Sequence, residues 1–184
     1  MYVMSYISIE EDYLNEHLRE DYLKFCKETN LWDNFKTNDI WNQRIIYSNQ
    51  FPDFELNYKH FLVLLQDKIK TDFSITKEIY PDYLGLVRWH VGDFQYPHAD
   101  GEIDGQIHPY HWRHFGCIYY LNDDYEGGEI YFPNQNIELK PKPNTLIFFP
   151  GTLEFLHGVK PVTSGVRYTL SSFWTYDKQY SIVR

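Results

Sequence analysis

A chain of 184 residues with 43% hydrophobic and 19% aromatic content is long enough for one domain with a real core and is not a disordered polymer. Its formal net charge of −9 leaves no basic footprint for nucleic acid or an anionic membrane, and no apolar run approaches membrane-spanning length. Two cysteines, Cys26 and Cys117, are too few for a disulfide framework or a cysteine-rich zinc site, and they favour a reducing, cytoplasmic compartment.

The opening residues Met1-Tyr2-Val3-Met4-Ser5 lack both a charged region and a long apolar stretch, so no signal peptide is expected. A single alanine, Ala99, beside 17 Tyr and 13 Phe points to an AT-rich genome, viral or of a small bacterium. Ser8-Ile9-Glu10-Glu11 has the form of a capping box. Leu14, Leu18, Tyr22 and Phe25 follow near helical spacing, which predicts a helix over about 9–27. The stretch from Thr29 to Gln50 is polar, with Trp32, Phe35 and Trp41 scattered through it, and reads as a loop with short turns. Pro52-Asp53 opens a second predicted helix to about Lys70, with Phe54, Tyr58, Phe61, Leu65 and Ile69 on one face. Both helices are expected to act as packing support.

From about residue 76 the pattern changes to short alternating runs between Gly and Pro turns. Strands are predicted at 84–91, 115–121, 129–132, 137–139, 145–149, near Val159, and at 166–176. Asn122-Asp123-Asp124 reads as a turn. This grammar predicts a mainly β α+β protein: a single domain over 1–184, with helical support over about 1–75 and a jelly-roll core over about 76–176.

Chemistry first shows at His98 and Asp100. In a strand, side chains at i and i+2 face one way, so an imidazole and a carboxylate can meet one ion. Alone, the pair is a short match that a structural hydrogen bond explains equally well. His157 lies in an apolar stretch after Pro150-Gly151, and Arg167 follows it ten positions later at the head of the longest alternating run. Arg167, Thr169 and Ser171 share one parity of that run; Val166, Tyr168, Leu170 and Trp174 share the other. A half-buried arginine needs an anionic partner, and a guanidinium takes a carboxylate through two parallel bonds. Two histidines and one carboxylate form the facial set that non-haem iron oxygenases use.

The order His98-x-Asp100, His157, Arg167 resembles the 2-oxoglutarate/Fe(II)-dependent dioxygenases. The blocks Tyr119-Tyr120-Leu121-Asn122, Gly127-Gly128-Glu129, Phe132-Pro133, and Pro141-Lys142-Pro143-Asn144 with Ile147-Phe148-Phe149 narrow the resemblance to the prolyl 4-hydroxylase-like branch, with Asn144 where glycine is usual. The likeness spans about residues 84–176. It implies a double-stranded β-helix (jelly roll) with Fe(II) held by His98, Asp100 and His157. It also implies 2-oxoglutarate held by Arg167, Tyr120 and Thr169, with O2 as oxidant and ascorbate as auxiliary reductant. Trp174 and Arg113 are implied substrate contacts. Trp89 falls near a family tyrosine, and Tyr96 is expected to pack beside the site. The implied reaction hydroxylates a C–H bond, on a prolyl residue of a peptide or protein, and yields succinate and CO2. The alternatives are a free amino acid or other small molecule as substrate, or a non-catalytic jelly-roll binding module. A nucleic-acid substrate is disfavoured by the acidic balance. The triple His108, His111, His114 is a rival zinc face if it is helical, but Pro109 and the glycines before it favour a loop.

Overall fold

The computed structural model describes residues 7–50 and 55–183, with the side chains of 55–57 excepted. The chain runs β1 (Ser8–Glu10), α1 (Glu16–Glu28), β2 (Ile45–Tyr47), α2 (Glu55–Asp72), β3 (Tyr80–Trp89) and β4 (Gln95–His98). It continues through β5 (Phe115–Tyr120), β6 (Tyr125–Gly127), β7 (Ile130–Phe132), β8 (Ile137–Leu139) and β9 (Leu146–Pro150). The last strands are β10 (His157–Val159), β11 (Val162–Gly165) and β12 (Arg167–Thr175). A six-stranded antiparallel sheet has the order β1-β9-β5-β12-β3-β2 and faces a four-stranded sheet of order β4-β10-β7-β8; β11 and β6 pair separately. This is the jelly roll that the alternating runs predict.

The period-two pattern explains the two layers. Leu84 and Leu86 of β3, Cys117 and Tyr119 of β5, Phe148 of β9 and Leu170 of β12 all turn to one face. They bury against Tyr22 and Cys26 of α1 and Phe61, Leu65 and Ile69 of α2. The opposite parity supplies Tyr120, Ile147 and Phe149, which meet Ile130 and Phe132 of the smaller sheet. Each fully buried aromatic or branched side chain contributes about 1.5–3 kcal/mol of transfer free energy, so both clusters are needed to close the sandwich.

The N-terminal region differs from the helix expected over 9–27. Ser8, Ile9 and Glu10 pair with Phe148, Ile147 and Leu146 as an edge strand. Ser8 Oγ donates to Asp72 rather than capping a helix. Asp12 at φ 55° breaks the chain, and α1 begins at Glu16 with Asn15 Oδ1 accepting from His17 N. Pairing along an open sheet edge outweighs a local capping signal, because it satisfies a row of backbone groups at once. The loop expected over 29–50 contains a 3₁₀ turn at Leu31–Asn34 and strand β2, which pairs with β3. Short strands β6 and β11 were likewise not expected. The Met1 to Ser5 reading, the Pro52-Asp53 helix start and Phe54 lie outside the described residues. Among the described residues no helix is long and apolar enough to cross a membrane.

Asn144 clasps the helical layer to the sheet. It has φ 65°, a left-handed conformation that Asn tolerates and Gly adopts freely. Its Oδ1 accepts from Leu14 N at 2.8 Å and from Tyr119 Oη at 2.7 Å, and its Nδ2 donates to Leu14 O at 2.8 Å. Asn144→Ala strands these buried groups and retains the strained backbone, so it is expected to cost roughly 2–4 kcal/mol in urea unfolding. Asn144→Gly keeps the backbone relaxed and should cost less than the alanine variant.

Candidate metal and co-substrate site

Strand pairing builds the metal cluster. His157 at the start of β10 sits directly across from His98 at the end of β4. Their rings lie 4.4 Å apart, centroid to centroid. Asp100 follows β4 by two residues, beyond the strand end, and is 5% exposed. Its Oδ1 stands 3.8 Å from His98 Nε2 and 3.7 Å from His157 Nε2. All three ligand atoms fall within 4.8 Å of one another, the one such grouping of His, Cys, Asp and Glu among the described residues.

Both rings are oriented by backbone carbonyls. His98 Nδ1 donates to Tyr96 O at 3.0 Å, and His157 Nδ1 to Phe155 O at 3.2 Å. A carbonyl only accepts, so each Nδ1 carries the proton and each Nε2 keeps its lone pair for a cation. Gln95 Nε2 donates to His98 Nε2 at 3.3 Å, a contact that an ion would displace. Burial pushes the His157 imidazole down to about 4, which keeps it neutral and ligand-competent through the neutral range. Asp100 Oδ2 is buried with no hydrogen-bond partner, a costly state for a carboxylate that a divalent cation would relieve. Gly116 makes room for it: a Cβ there would lie 2.3 Å from Asp100 Oδ2 and 2.8 Å from the Phe149 ring. Two imidazoles and one carboxylate suit Fe(II) and leave further coordination positions open.

Arg167 lies in the same cavity of about 750 Å³ as the three ligands. It is 1% exposed. Its Nη2 donates to Tyr120 Oη at 2.9 Å, while its Nε has no partner. The guanidinium carbon lies 5.4 Å from the Trp89 ring centroid and 4.9 Å from that of Tyr120. No carboxylate among the described residues pairs with it. A buried guanidinium held by one phenol and two ring faces is built to take an anion from outside the chain. Burial raises the Tyr120 hydroxyl above the usual tyrosine range, so it stays protonated beside that anion site.

The remaining expected site residues divide. Thr169 lines the cavity and is 1% exposed, and Trp89 lines it beneath Arg167. Arg113 also lines it, with Nε donating to Asp82 Oδ2 at 2.9 Å and the guanidinium stacked 3.9 Å from Phe173 and 4.1 Å from Tyr110. Trp174 is a correction. It is fully buried in the helix-facing cluster, with Nε1 donating to Ser172 Oγ at 3.0 Å, and it does not reach the cavity. Its parity on β12 matches Leu170, which faces the helices. Tyr96 is 75% exposed and packs edge-on against Phe94 outside the cavity. His108, His111 and His114 form no metal group: the segment is a turn, His108 lines the cavity, and His114 Nδ1 accepts from Tyr176 N. Two features went unpredicted. One cavity wall comes from residues 35–47 of the presumed support, and Asp82 ties down the 101–114 loop through Arg113 and through Trp112 Nε1 at 2.7 Å.

The model of the 2OG-Fe(II) oxygenase superfamily matches residues 84–176, half of the chain. Human prolyl 3-hydroxylase 2 is 37% identical over 76 residues, which are 39% of this chain and 11% of that protein; the chain thus spans about a tenth of the length of that relative. Among solved structures, the viral collagen prolyl hydroxylase of Paramecium bursaria Chlorella virus-1, in its 2OG complex, superposes with a TM-score of 0.74 at 19% identity, covering 95% of this chain and 97% of that one. A Trichoplax adhaerens prolyl hydroxylase in complex with a hypoxia inducible factor peptide fragment gives 0.72 at 16% identity, covering 98% and 88%.

Proposed function

Because this chain belongs to the 2OG-Fe(II) oxygenase superfamily, we propose that it hydroxylates a prolyl residue of a peptide or protein. It is a dioxygenase that depends on Fe(II), 2-oxoglutarate and O2. When bound, iron and 2-oxoglutarate supply an oxidising centre strong enough to break an unactivated C–H bond, with succinate and CO2 as co-products.

The chain's own residues position and shield that centre. His98, Asp100 and His157 would hold the iron on one side through Nε2, a carboxylate oxygen and Nε2. Arg167 would receive the distal carboxylate of 2-oxoglutarate, with the Tyr120 hydroxyl beside it and the Thr169 hydroxyl on the same face of β12. The near-complete burial of Arg167, Asp100 and His157 keeps water from their side of the cavity and strengthens the charge interactions there, while His98 stands partly exposed. No side chain is needed as a nucleophile or general base.

One observation carries this reading: a buried guanidinium with no acidic partner among the described residues shares a cavity with a His-Asp-His group whose Asp100 and His157 are buried. The choice of a prolyl peptide is supported by the named activities of the relatives and by the aromatic mouth, where Trp112 and Tyr180 stack at 3.9 Å and 4°. Flat aromatic faces suit proline rings in an extended chain. Cys26 and Cys117 are buried free thiols, which supports the cytoplasm as the proposed compartment.

The test incubates purified protein in air with Fe(II), 2-oxoglutarate and a panel of proline-containing peptides and free amino acids. Mass spectrometry should show succinate and a peptide carrying one added oxygen on proline, at C3 or C4. Succinate formation with oxygen added only to a free amino acid would overturn the peptide substrate.

A further inference from the structure

One wall of the cavity comes from a segment that supplies every second residue: Phe35, Thr37, Asp39 and Trp41 all line the cavity. The segment is closed on itself. Gln43 N donates to Phe35 O at 2.6 Å, and Thr37 N donates to Asn42 Oδ1 at 3.1 Å. Asp39 is held within it, its Oδ1 accepting from Thr37 Oγ1 at 2.6 Å and from Trp41 N at 2.8 Å. Those bonds occupy one oxygen and aim the carboxylate. The other oxygen, Oδ2, has no protein partner, and the side chain is exposed.

The other charges of the cavity are committed. Asp82 is paired with Arg113. Asp100 belongs to the metal group, and Arg167 is the co-substrate cation in the reading above. Lys36, three residues before Asp39, does not line the cavity. Arg44, the cation that acts on Asp39 from a distance, is ion-paired with Asp93 and does not line the cavity, so the Asp39 carboxylate stands at the rim with one oxygen free, on a wall that also carries the aromatic side chains Phe35, Trp41 and Tyr47. A carboxylate among aromatic faces is a receptor for a cation, through charge pairing and through the ring quadrupole. The Cys117 thiol, which burial keeps protonated, and the phenols of the cavity carry no positive charge that would attract an anion at this rim. The chain's net charge of −9 adds long-range attraction in the same sense.

We propose that Asp39 is a specificity determinant that selects a lysine or arginine side chain next to the residue to be hydroxylated. The substrate is then a basic peptide segment. This rests on the peptide hydroxylase reading, and the test separates the two.

Three capped pentapeptides would carry lysine, norleucine or glutamate beside a central proline, and a second series would carry alanine in place of proline. Affinity is measured by calorimetry at low salt on the holoenzyme with 2-oxoglutarate under anaerobic conditions, and hydroxylation is then measured in air. The lysine peptide should bind about five- to tenfold more tightly than the glutamate peptide in both series, and the gap should shrink with added salt. Asp39→Asn should close the gap, and Asp39→Lys should invert the ranking. Equal affinities in the wild type, or a gap that survives Asp39→Asn, would overturn the proposal. A lysine preference in both series without any hydroxyproline would keep the charge site and remove the prolyl reading. Hydroxyproline formed with equal kcat/KM from all three peptides would do the reverse.

Discussion

His157→Ala is expected to abolish turnover of 2-oxoglutarate, by on the order of a thousandfold or more, together with stoichiometric binding of the metal. The loss follows from ligand count. Two imidazoles and one carboxylate converge within 4.8 Å, and two remaining ligands bind an ion far more weakly than three. The fold should stand. His157 packs on Phe149 and His98, each with ring centroids at 4.4 Å, but it belongs to neither large apolar cluster. Truncation leaves a cavity and costs about 1–3 kcal/mol, against which it removes a desolvated imidazole. Near-ultraviolet circular dichroism should be close to wild type, while Co(II), used as a spectroscopic substitute, should lose its protein-bound visible absorption. An intact Co(II) spectrum would remove His157 from the ligand set.

Arg167→Met is expected to raise the KM for 2-oxoglutarate by on the order of a hundredfold, the equivalent of about 2.7 kcal/mol for a buried charge-assisted pair. Metal binding should be unaffected, because Arg167 contacts Tyr120 and Trp89 and none of the three ligands. The effect on stability has the opposite sign to the usual core substitution. Without co-substrate the buried guanidinium is a desolvated charge with an unpartnered Nε, so an apolar side chain of similar length should leave the melting temperature unchanged or raise it. With 2-oxoglutarate present, the wild type should gain several degrees by mass action and the variant should gain none. Loss of stability in the ligand-free variant would mean that Arg167 is held by structure rather than poised for a ligand. Equal ligand-induced shifts in both proteins would place the carboxylate elsewhere.

Much of this site was legible because β12 gives each face a single chemistry. Arg167, Thr169 and Ser171 alternate with Tyr168, Leu170 and Ser172, and the strand obeys that alternation from the cavity to the helix layer. Trp174 was readable by the same rule, since its parity places it with Leu170; nearness in sequence to the mouth was the weaker signal. The capping-box form of Ser8 to Glu11 misled, because nothing local reveals that an open edge at β9 is waiting for a partner. Strand β2 was hidden by its length: Ile45-Ile46-Tyr47 is too short for periodicity, and its pairing partner is some forty residues away in sequence. The 35–47 wall did alternate, but its polar setting looked like solvent-facing loop. A wall of an open cavity needs no continuous apolar stripe.

Gly116 carries a consequence for mutational tolerance. It offers no ligand and no hydrogen-bonding side chain, yet any other residue at that position drives a Cβ to 2.3 Å from Asp100 Oδ2. The carboxylate is the softer of the two groups and would yield, so the fold would survive while the ligand moved. Sequence space is therefore closed at a position that an inventory of functional side chains passes over. A directed-evolution library built to alter substrate choice has to hold Gly116 fixed along with His98, Asp100 and His157, or most of its members will be well-folded and inert.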